Sequence, residues 1–97
     1  MILHLVNAAP GTEAFAHCLA LAGTGDAVLL TGDSTYCLLQ GSVHAKAMDA
    51  CDAALYVLAD DAAARGLADQ VREPYTLVDM EGFVDLTERF QQIQSWY

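Results

Sequence analysis

Short apolar segments recur along the chain and alternate with stretches that favour helices. The segments with the length of strands are Ile2–Val6, Ala27–Leu30, Ala54–Leu58 and 76–78. The second and third of them show no polar alternation, which is typical of strands that are covered on both faces of a parallel sheet. The pattern therefore predicts Ala27–Leu30 as a central strand of such a sheet.

Helices are predicted between these strands. Thr12 can cap the first helix. The apolar positions of this helix recur at helical spacing and are Phe15, Cys18, Leu19 and Ala22. A second helical region covers residues 36–51 and is interrupted before Gly41, with Ser42 as the cap of its second part.

Two more helices and a tail complete the pattern. Asp60 or Asp61 is expected to cap a short helix over residues 62–64, and residues 81–90 form the last helix. The inner face of that helix consists of Phe83, Leu86 and Phe90. Residues 91–97 are expected to be either a short edge strand or a docked extended segment, because a Trp near a chain end is normally held by packing.

The order of these elements predicts the fold class. Strands and helices alternate along the chain, which favours parallel pairing through right-handed crossovers. We therefore expect an α/β fold with a small sheet of four to five strands.

Size and composition limit the class of protein. The 97 residues are expected to form one domain, 1–97, with a single modest core. A chain with 55% hydrophobic and only 18% charged residues is more apolar than a solitary small domain requires, so we expect it to associate with other subunits. The sequence leaves open whether the purified chain forms homo-oligomers.

The charge of the chain limits its partners. Thirteen acidic residues against four basic ones give a net charge of −9, which opposes direct binding of tRNA or DNA. No apolar run approaches the length of a membrane span, and the first twenty residues do not read as a signal peptide. We therefore expect a cytoplasmic protein.

Two loops lie where α/β proteins usually bind phosphates or flavins. They follow the first two strands and have the sequences Pro10-Gly11-Thr12 and Gly32-Asp33-Ser34-Thr35. Neither loop contains a basic residue or the pattern Gly-x-Gly-x-x-Gly, and carboxylates nearby would repel a phosphate. Helix capping explains these residues without a ligand, so we predict no cofactor.

The cysteines are the main candidates for chemistry. Cys18, Cys37 and Cys51 are odd in number and widely spaced, which fits neither a disulfide framework nor a zinc site. Each is therefore a free thiol, either a small core residue or a reactive group. Cys37 is expected in the core or at an interface, and Cys51 is expected to be inert.

The three histidines are interpreted as structural or solvated residues. His4 lies on a strand that should be buried, so we expect it to be a hydrogen-bonded structural residue. His17 and His44 are expected on solvated helix faces. None of the three has a partner at metal-ligand spacing, so we predict no metal site.

Five segments resemble one known family in the same order along the chain. They are Leu3-His4-Leu5-Val6-Asn7, then Gly25-Asp26-Ala27-Val28-Leu29-Leu30 with Gly32-Asp33 and Tyr36, then Asp61 with Ala64-Arg65-Gly66-Leu67, then Gly82-Phe83-Val84-Asp85-Leu86-Thr87, and finally Gln94-Ser95-Trp96. Through these segments the chain resembles the TusB/DsrH family of sulfur-relay subunits from end to end.

The resemblance implies a fold, partners and a role. The fold is a three-layer α/β/α arrangement of flavodoxin-like appearance with a mostly parallel sheet. The partners are two homologous subunits, TusC/DsrF and TusD/DsrE, in a hetero-hexamer that passes persulfide sulfur to a TusE/DsrC-type carrier. In the Tus branch the sulfur reaches the wobble uridine of tRNA, and in the Dsr branch the related complex serves sulfur oxidation.

Cys18 is the position for which the resemblance implies chemistry in this chain, because many family members carry a cysteine at this place in the first helix. The family's main sulfur-accepting cysteine lies in the TusD/DsrE partner. A persulfide carrier needs an accessible thiolate, yet no Lys or Arg lies near Cys18, and His17 points about 100° away on a helix. Cys18 is therefore either a packed core residue or a persulfide carrier.

Three hypotheses for the function follow. The first is an accessory subunit of a sulfur-relay complex for tRNA thiolation, with a DsrH-type subunit in sulfur oxidation as its alternative. The second makes Cys18 a relay thiol. The third, a stand-alone flavin or nucleotide binder, rests on fold analogy alone.

Overall fold

A five-stranded sheet forms the centre of the fold in the computed structural model, which describes residues 1–39 and 41–97. The strands are β1 (Ile2–Val6), β2 (Ala27–Leu30), β3 (Ala54–Leu58), β4 (Tyr75–Val78) and β5 (Gln92–Trp96). Their order in the sheet is β4-β3-β2-β1-β5, and all neighbouring pairs are parallel. The predicted α/β fold is confirmed, and within the described residues its sheet is parallel throughout.

The central strand is β2, as the sequence predicts. Leu29 of β2 lies opposite Leu5 of β1 on one side and opposite Tyr56 of β3 on the other. All four residues of β2 have an exposure of 0%. Its unbroken apolar sequence follows from this position, because a strand between two neighbours and two helical layers has no face in water.

The C-terminal tail forms the edge strand β5. It pairs in parallel with β1, with Trp96 opposite Val6. The backbone N–H of Asn7 then donates to the carbonyl of Trp96 at 2.9 Å, which continues the pairing past the end of β1. Of the two predicted forms of the tail, the edge strand is confirmed.

Within the described residues, four α-helices connect the strands. They are α1 (Glu13–Leu21), α2 (Val43–Asp49), α3 (Ala59–Ala64) and α4 (Met80–Arg89), together with 3₁₀ helices at Gly32–Leu38 and Ala68–Gln70. Thr12, Ser42 and Asp79 cap α1, α2 and α4, each accepting a hydrogen bond from the backbone N–H three residues later at 3.3, 3.0 and 2.8 Å. The caps at Thr12 and Ser42 confirm the predictions for these helices.

The cap predicted for α3 is wrong. The helix begins at Ala59, directly after β3, and no side chain in the described part of the chain caps it. Asp61 instead reaches the preceding connection, where its Oδ2 accepts a hydrogen bond from the backbone N–H of Gly32 at 2.7 Å. The local pattern assigned the Asp61 carboxylate to the start of α3, but the carboxylate forms a long-range hydrogen bond instead.

The second helical region also differs from the prediction. Its first part is a 3₁₀ helix that begins at Gly32 rather than Tyr36, and α2 ends at Asp49 rather than at residue 51. The predicted interruption before Gly41 includes residue 40, which lies outside the described residues.

The direction of the connections decides which helices cover which face of the sheet. From β1 to β4, each step goes to the next strand in the same direction, so right-handed crossovers place the intervening helices on one face. The connection from β4 to β5 returns in the opposite direction, which places α4 on the other face. The three predicted layers are therefore present but unequal.

The two faces have separate cores, which we call the crowded face and the open face. The crowded face packs Val6, Val28, Leu30 and Val57 of the strands against Phe15, Cys18, Leu38, Met48 and Ala62 of the helical connections. The open face packs Leu3, Ala27, Leu29 and Leu58 against Leu86 of α4, with Phe83 and Phe90 half-buried beside it. Because a single helix covers the open face, Ile93 of β5 keeps 47% of its surface exposed there.

Candidate functional site

Cys18 lies in the core of the crowded face. The cap at Thr12 fixes where α1 begins, and from that start Phe15 and Cys18 point inwards while His17 points to solvent. Only 1% of the surface of Cys18 is exposed to solvent. In this chain on its own, the sulfur atom is therefore closed to a partner protein.

The surroundings of Cys18 also oppose ionisation. Burial, together with a smaller effect of the nearby Cys51 thiol, raises the pKa of this thiol to about 12. At neutral pH the sulfur is consequently a neutral thiol, whereas nucleophilic attack on sulfur requires a thiolate.

The other two cysteines differ in exposure. Cys37 is 0% exposed, and burial raises its pKa to about 11, although the neighbouring Tyr75 hydroxyl opposes that rise. Its core position agrees with the core role expected for it. Cys51 is half-buried at the border of the same core.

The loop after β2 uses its polar groups to fasten itself to the sheet. Ser34 Oγ donates to the carbonyl of Val6 at 2.6 Å and accepts from the backbone N–H of Thr31 at 2.9 Å. The backbone N–H of Gly32 donates to the Asp61 carboxylate, and the Asp33 carboxylate forms an ion pair with the guanidinium of Arg65 at 3.1 Å. These groups hold the 3₁₀ helix against β1, and a phosphate approaching the loop would meet two carboxylates.

Of the two histidines predicted on solvated helix faces, one follows the prediction and one does not. His17 is exposed on α1, as expected. His44 is half-buried, because its ring packs edge-on against Phe15 with the ring centroids 6.2 Å apart. In residues 1–39 and 41–97, no three His, Cys, Asp or Glu side chains are grouped so that they could hold a metal ion.

His4 is the centre of a partly buried hydrogen-bond chain that joins β1 and β5 to the residue before β2. The indole Nε1–H of Trp96 donates to His4 Nδ1 at 3.1 Å, and His4 Nε2 lies 3.2 Å from Asp26 Oδ2. An indole can only donate, so Nδ1 is the acceptor and Nε2 carries the proton that is donated to Asp26. The predicted structural, hydrogen-bonded role of His4 agrees with this geometry.

Asp26 is the anionic end of this chain. Its Oδ1 accepts from Ile2 N–H at 2.8 Å, and its Oδ2 accepts from Gly23 N–H at 3.2 Å. Burial opposes ionisation, but the two backbone donors and His4 outweigh it and hold the pKa of this carboxyl below its ordinary value of 3.8. The ionised carboxylate thereby ties the start of β2 to the start of β1.

The sequence did not reveal the chain formed by Asp26, His4 and Trp96. All three residues lie in segments that carry the family resemblance, which was the available signal. Their pairing could not be deduced, because His4 and Trp96 are 92 positions apart.

A cleft of about 790 Å³ lies at the amino edge of the sheet, between the starts of β2 and β3 and the end of α4. Asp26, Asp52, Tyr56, Arg89 and Phe90 are among the residues that line it. The guanidinium of Arg89 lies 3.5 Å from the Tyr56 hydroxyl and 5.9 Å from the centre of the Phe90 ring. None of the three cysteines lines the cleft, so it offers no thiol for sulfur transfer.

These features define a class of protein: a small parallel α/β protein with two buried thiols and one face that a single helix covers in the described residues. The family described as "DsrH like protein" matches residues 9–93. The chain belongs to this DsrH-like family, as the sequence segments predict. Membership supports the predicted role as a subunit of a sulfur-relay system.

Relatives over the full length of the chain agree with this assignment. The chain is 34% identical over 95 residues to "Protein TusB" of Photorhabdus laumondii, which covers 98% of this chain and 100% of that protein. It is 37% identical over 95 residues to "Protein TusB" of Yersinia pestis, with the same coverage.

Two solved structures share the fold. The crystal structure of the ychN protein from E. coli superposes with a TM-score of 0.72 at 14% identity and covers 98% of this chain and 97% of its own. The solution NMR structure of protein Tm0979 from Thermotoga maritima gives a TM-score of 0.64 at 23% identity, with coverages of 92% and 93%.

Within the described residues, no α-helix has both the length and the apolar character needed to cross a bilayer.

We predict that Asp26→Asn weakens the fold at neutral pH by about 1–3 kcal/mol, the usual range for losing hydrogen bonds to a charged group. Because the folded-state pKa of Asp26 is lowered, its stabilisation is complete above the ordinary pKa of 3.8 and is lost as the pH falls through the folded value. The difference in free energy of unfolding between wild type and variant should therefore shrink on acidification. Urea unfolding at a series of pH values measures it, with Asp85→Asn on the exposed side of α4 as the control. A difference that stays constant down to strongly acidic pH would contradict the prediction.

Proposed function

We propose that this chain is an accessory subunit of a sulfur-relay complex that supports 2-thiolation of the wobble uridine of tRNA. The observation that carries the proposal is the likeness to TusB proteins over 98% of the chain. Likeness of this length leaves at most a few residues of the chain outside it.

The state of the cysteines supports an accessory role. Two of the three thiols are buried with raised pKa values, and the third is half-buried. A subunit of this kind contributes surface and position, while a sibling subunit supplies the reactive thiolate. In the family this role belongs to the TusD/DsrE subunit.

The surface of the chain supports assembly. Several large apolar side chains keep half or more of their area exposed, and they are Met1, Leu21, Val43, Met80, Val84 and Tyr97. The open face adds Ile93 beside a single covering helix. We propose that homologous TusC/DsrF and TusD/DsrE subunits cover part of this surface in a hetero-hexamer.

The charge supports an indirect role in RNA chemistry. A net charge of −9 repels a phosphate backbone, so the proposed complex contacts tRNA through a TusE/DsrC-type carrier and a separate modifying enzyme rather than through this chain. Because tRNA thiolation takes place in the cytoplasm, we propose a cytoplasmic location for the complex.

A DsrH-type role in sulfur oxidation is the second candidate, and the description of the matching family favours it. The names of the relatives favour the tRNA branch.

Co-expression with the two sibling subunits should give a stable hetero-oligomer that contains this chain, because its exposed apolar area is then covered. Native mass spectrometry of the purified complex measures the subunit stoichiometry, and two copies of each subunit are expected. If the siblings assemble with each other and leave this chain alone at micromolar concentration, the proposal is wrong.

Deletion of the gene for this chain from its own genome should lower the fraction of 2-thiolated tRNA. Organomercury gel electrophoresis measures that fraction, and re-expression of the wild-type chain is the control. Unchanged thiolation together with a defect in oxidation of stored sulfur would assign the chain to the second candidate.

Sulfur carriage by Cys18 stays a prediction. In such a step, the Cys18 thiolate attacks the outer sulfur of a donor persulfide, a new S–S bond forms on Cys18, and the donor leaves as a thiolate. The buried position and the pKa of about 12 mean that α1 would have to shift in the assembled complex before the step could occur.

If Cys18 carries sulfur, the assembled complex incubated with a persulfide donor should gain one sulfur atom on this chain. Intact-mass analysis detects the adduct, which should disappear in Cys18→Ser and persist in the matched control Cys51→Ser. An assembled, folded complex without any adduct on Cys18 would assign this residue to the core alone.

A further inference from the structure

The outer side of α4 carries an apolar pair surrounded by carboxylates. Met80 and Val84 are one helical turn apart and are 51% and 50% exposed. A shallow groove of about 390 Å³ lies along them and is lined also by Glu81 and Asp85. On the inner side of the same helix, Leu86 packs into the core of the open face, so the helix is fixed in place independently of any partner.

The charges around this pair are of one sign. Asp79, Glu81, Asp85 and Glu88 are all exposed on or beside α4. The nearby cation, Arg89, is directed to Tyr56 and Phe90 at the other end of the helix. In the described ranges 1–39 and 41–97, none of these four carboxylates forms an ion pair.

We propose that this surface, which we call the α4 groove, binds a protein partner whose contact patch presents an apolar side chain between Lys or Arg residues. Covering Met80 and Val84 removes water from the neighbouring carboxylates, which is favourable only if the partner supplies positive charge. The proposal rests on the proposed function in one respect: the partner is a member of the sulfur-relay complex.

The charge of the chain argues against other occupants. A second copy placed groove to groove would bring eight carboxylates together, because each copy contributes the four named above. Nucleic acids and anionic membrane surfaces are repelled for the same reason.

The test uses the full chain and a matched pair of variants. Val84→Asp places a charge in the α4 groove, and the control Ala47→Asp places one at an exposed position of α2, on the crowded face. Both residues are exposed, so thermal unfolding should be nearly unchanged. Titration calorimetry against the co-purified sibling subunits should show binding weakened about tenfold or more by Val84→Asp and unaffected by Ala47→Asp. Binding of the wild type should also weaken as salt is raised.

A second probe addresses the groove directly. A synthetic helical peptide with leucines one turn apart between lysines should shift the NMR amide signals of residues 80–88 saturably. The same peptide with glutamates in place of the lysines should not shift them.

Three other outcomes would overturn either the α4 groove or the proposed function. If Val84→Asp assembles like the wild type, the proposed groove is wrong and the proposed function stands. If the wild type does not bind its siblings, the proposed function fails, and the lysine peptide alone decides whether the groove exists. A homo-oligomer that Val84→Asp disrupts would assign the surface to a second copy and overturn the proposal.

Discussion

The handedness of crossovers in a parallel sheet is the constraint on which this structure depends. Three successive steps in one direction stack α1, α2 and α3 on one face, and the single return step leaves α4 alone on the other. The thick layer buries Cys18 and Cys37, and the thin layer leaves apolar surface beside α4. The burial of these two thiols and the exposure of the apolar surface beside α4 therefore have the same topological cause.

Much of the fold could be predicted from local sequence. The apolar segments gave three strands with their observed bounds, and Thr12 and Ser42 marked helix starts, because capping and strand burial depend on residues close together in the chain. Asp61 shows where this approach ends. Its carboxylate is close to α3 in sequence, but its hydrogen bond goes to Gly32, 29 positions away.

The candidate site was less predictable for the same reason. The residue type and helical position of Cys18 were evident, but its exposure depends on packing against strands that no local pattern describes. His4 was expected to have hydrogen-bond partners, and their identity required the register of β1 with β2 and β5. Sequence therefore indicated which residues mattered and left their contacts to the tertiary structure.

The pairing of β1 with β5 has a consequence for how the molecule forms. β1 lies near one end of the chain and β5 near the other, and the indole of Trp96 completes the hydrogen bonds of His4 from 92 positions away. Until β5 docks, one side of β1 is an open edge with unpaired N–H and C=O groups, of the kind that recruits strands from other molecules. Contacts between residues so far apart in the chain form late, so this edge stays unprotected during folding and the yield of folded protein depends on how soon β5 docks.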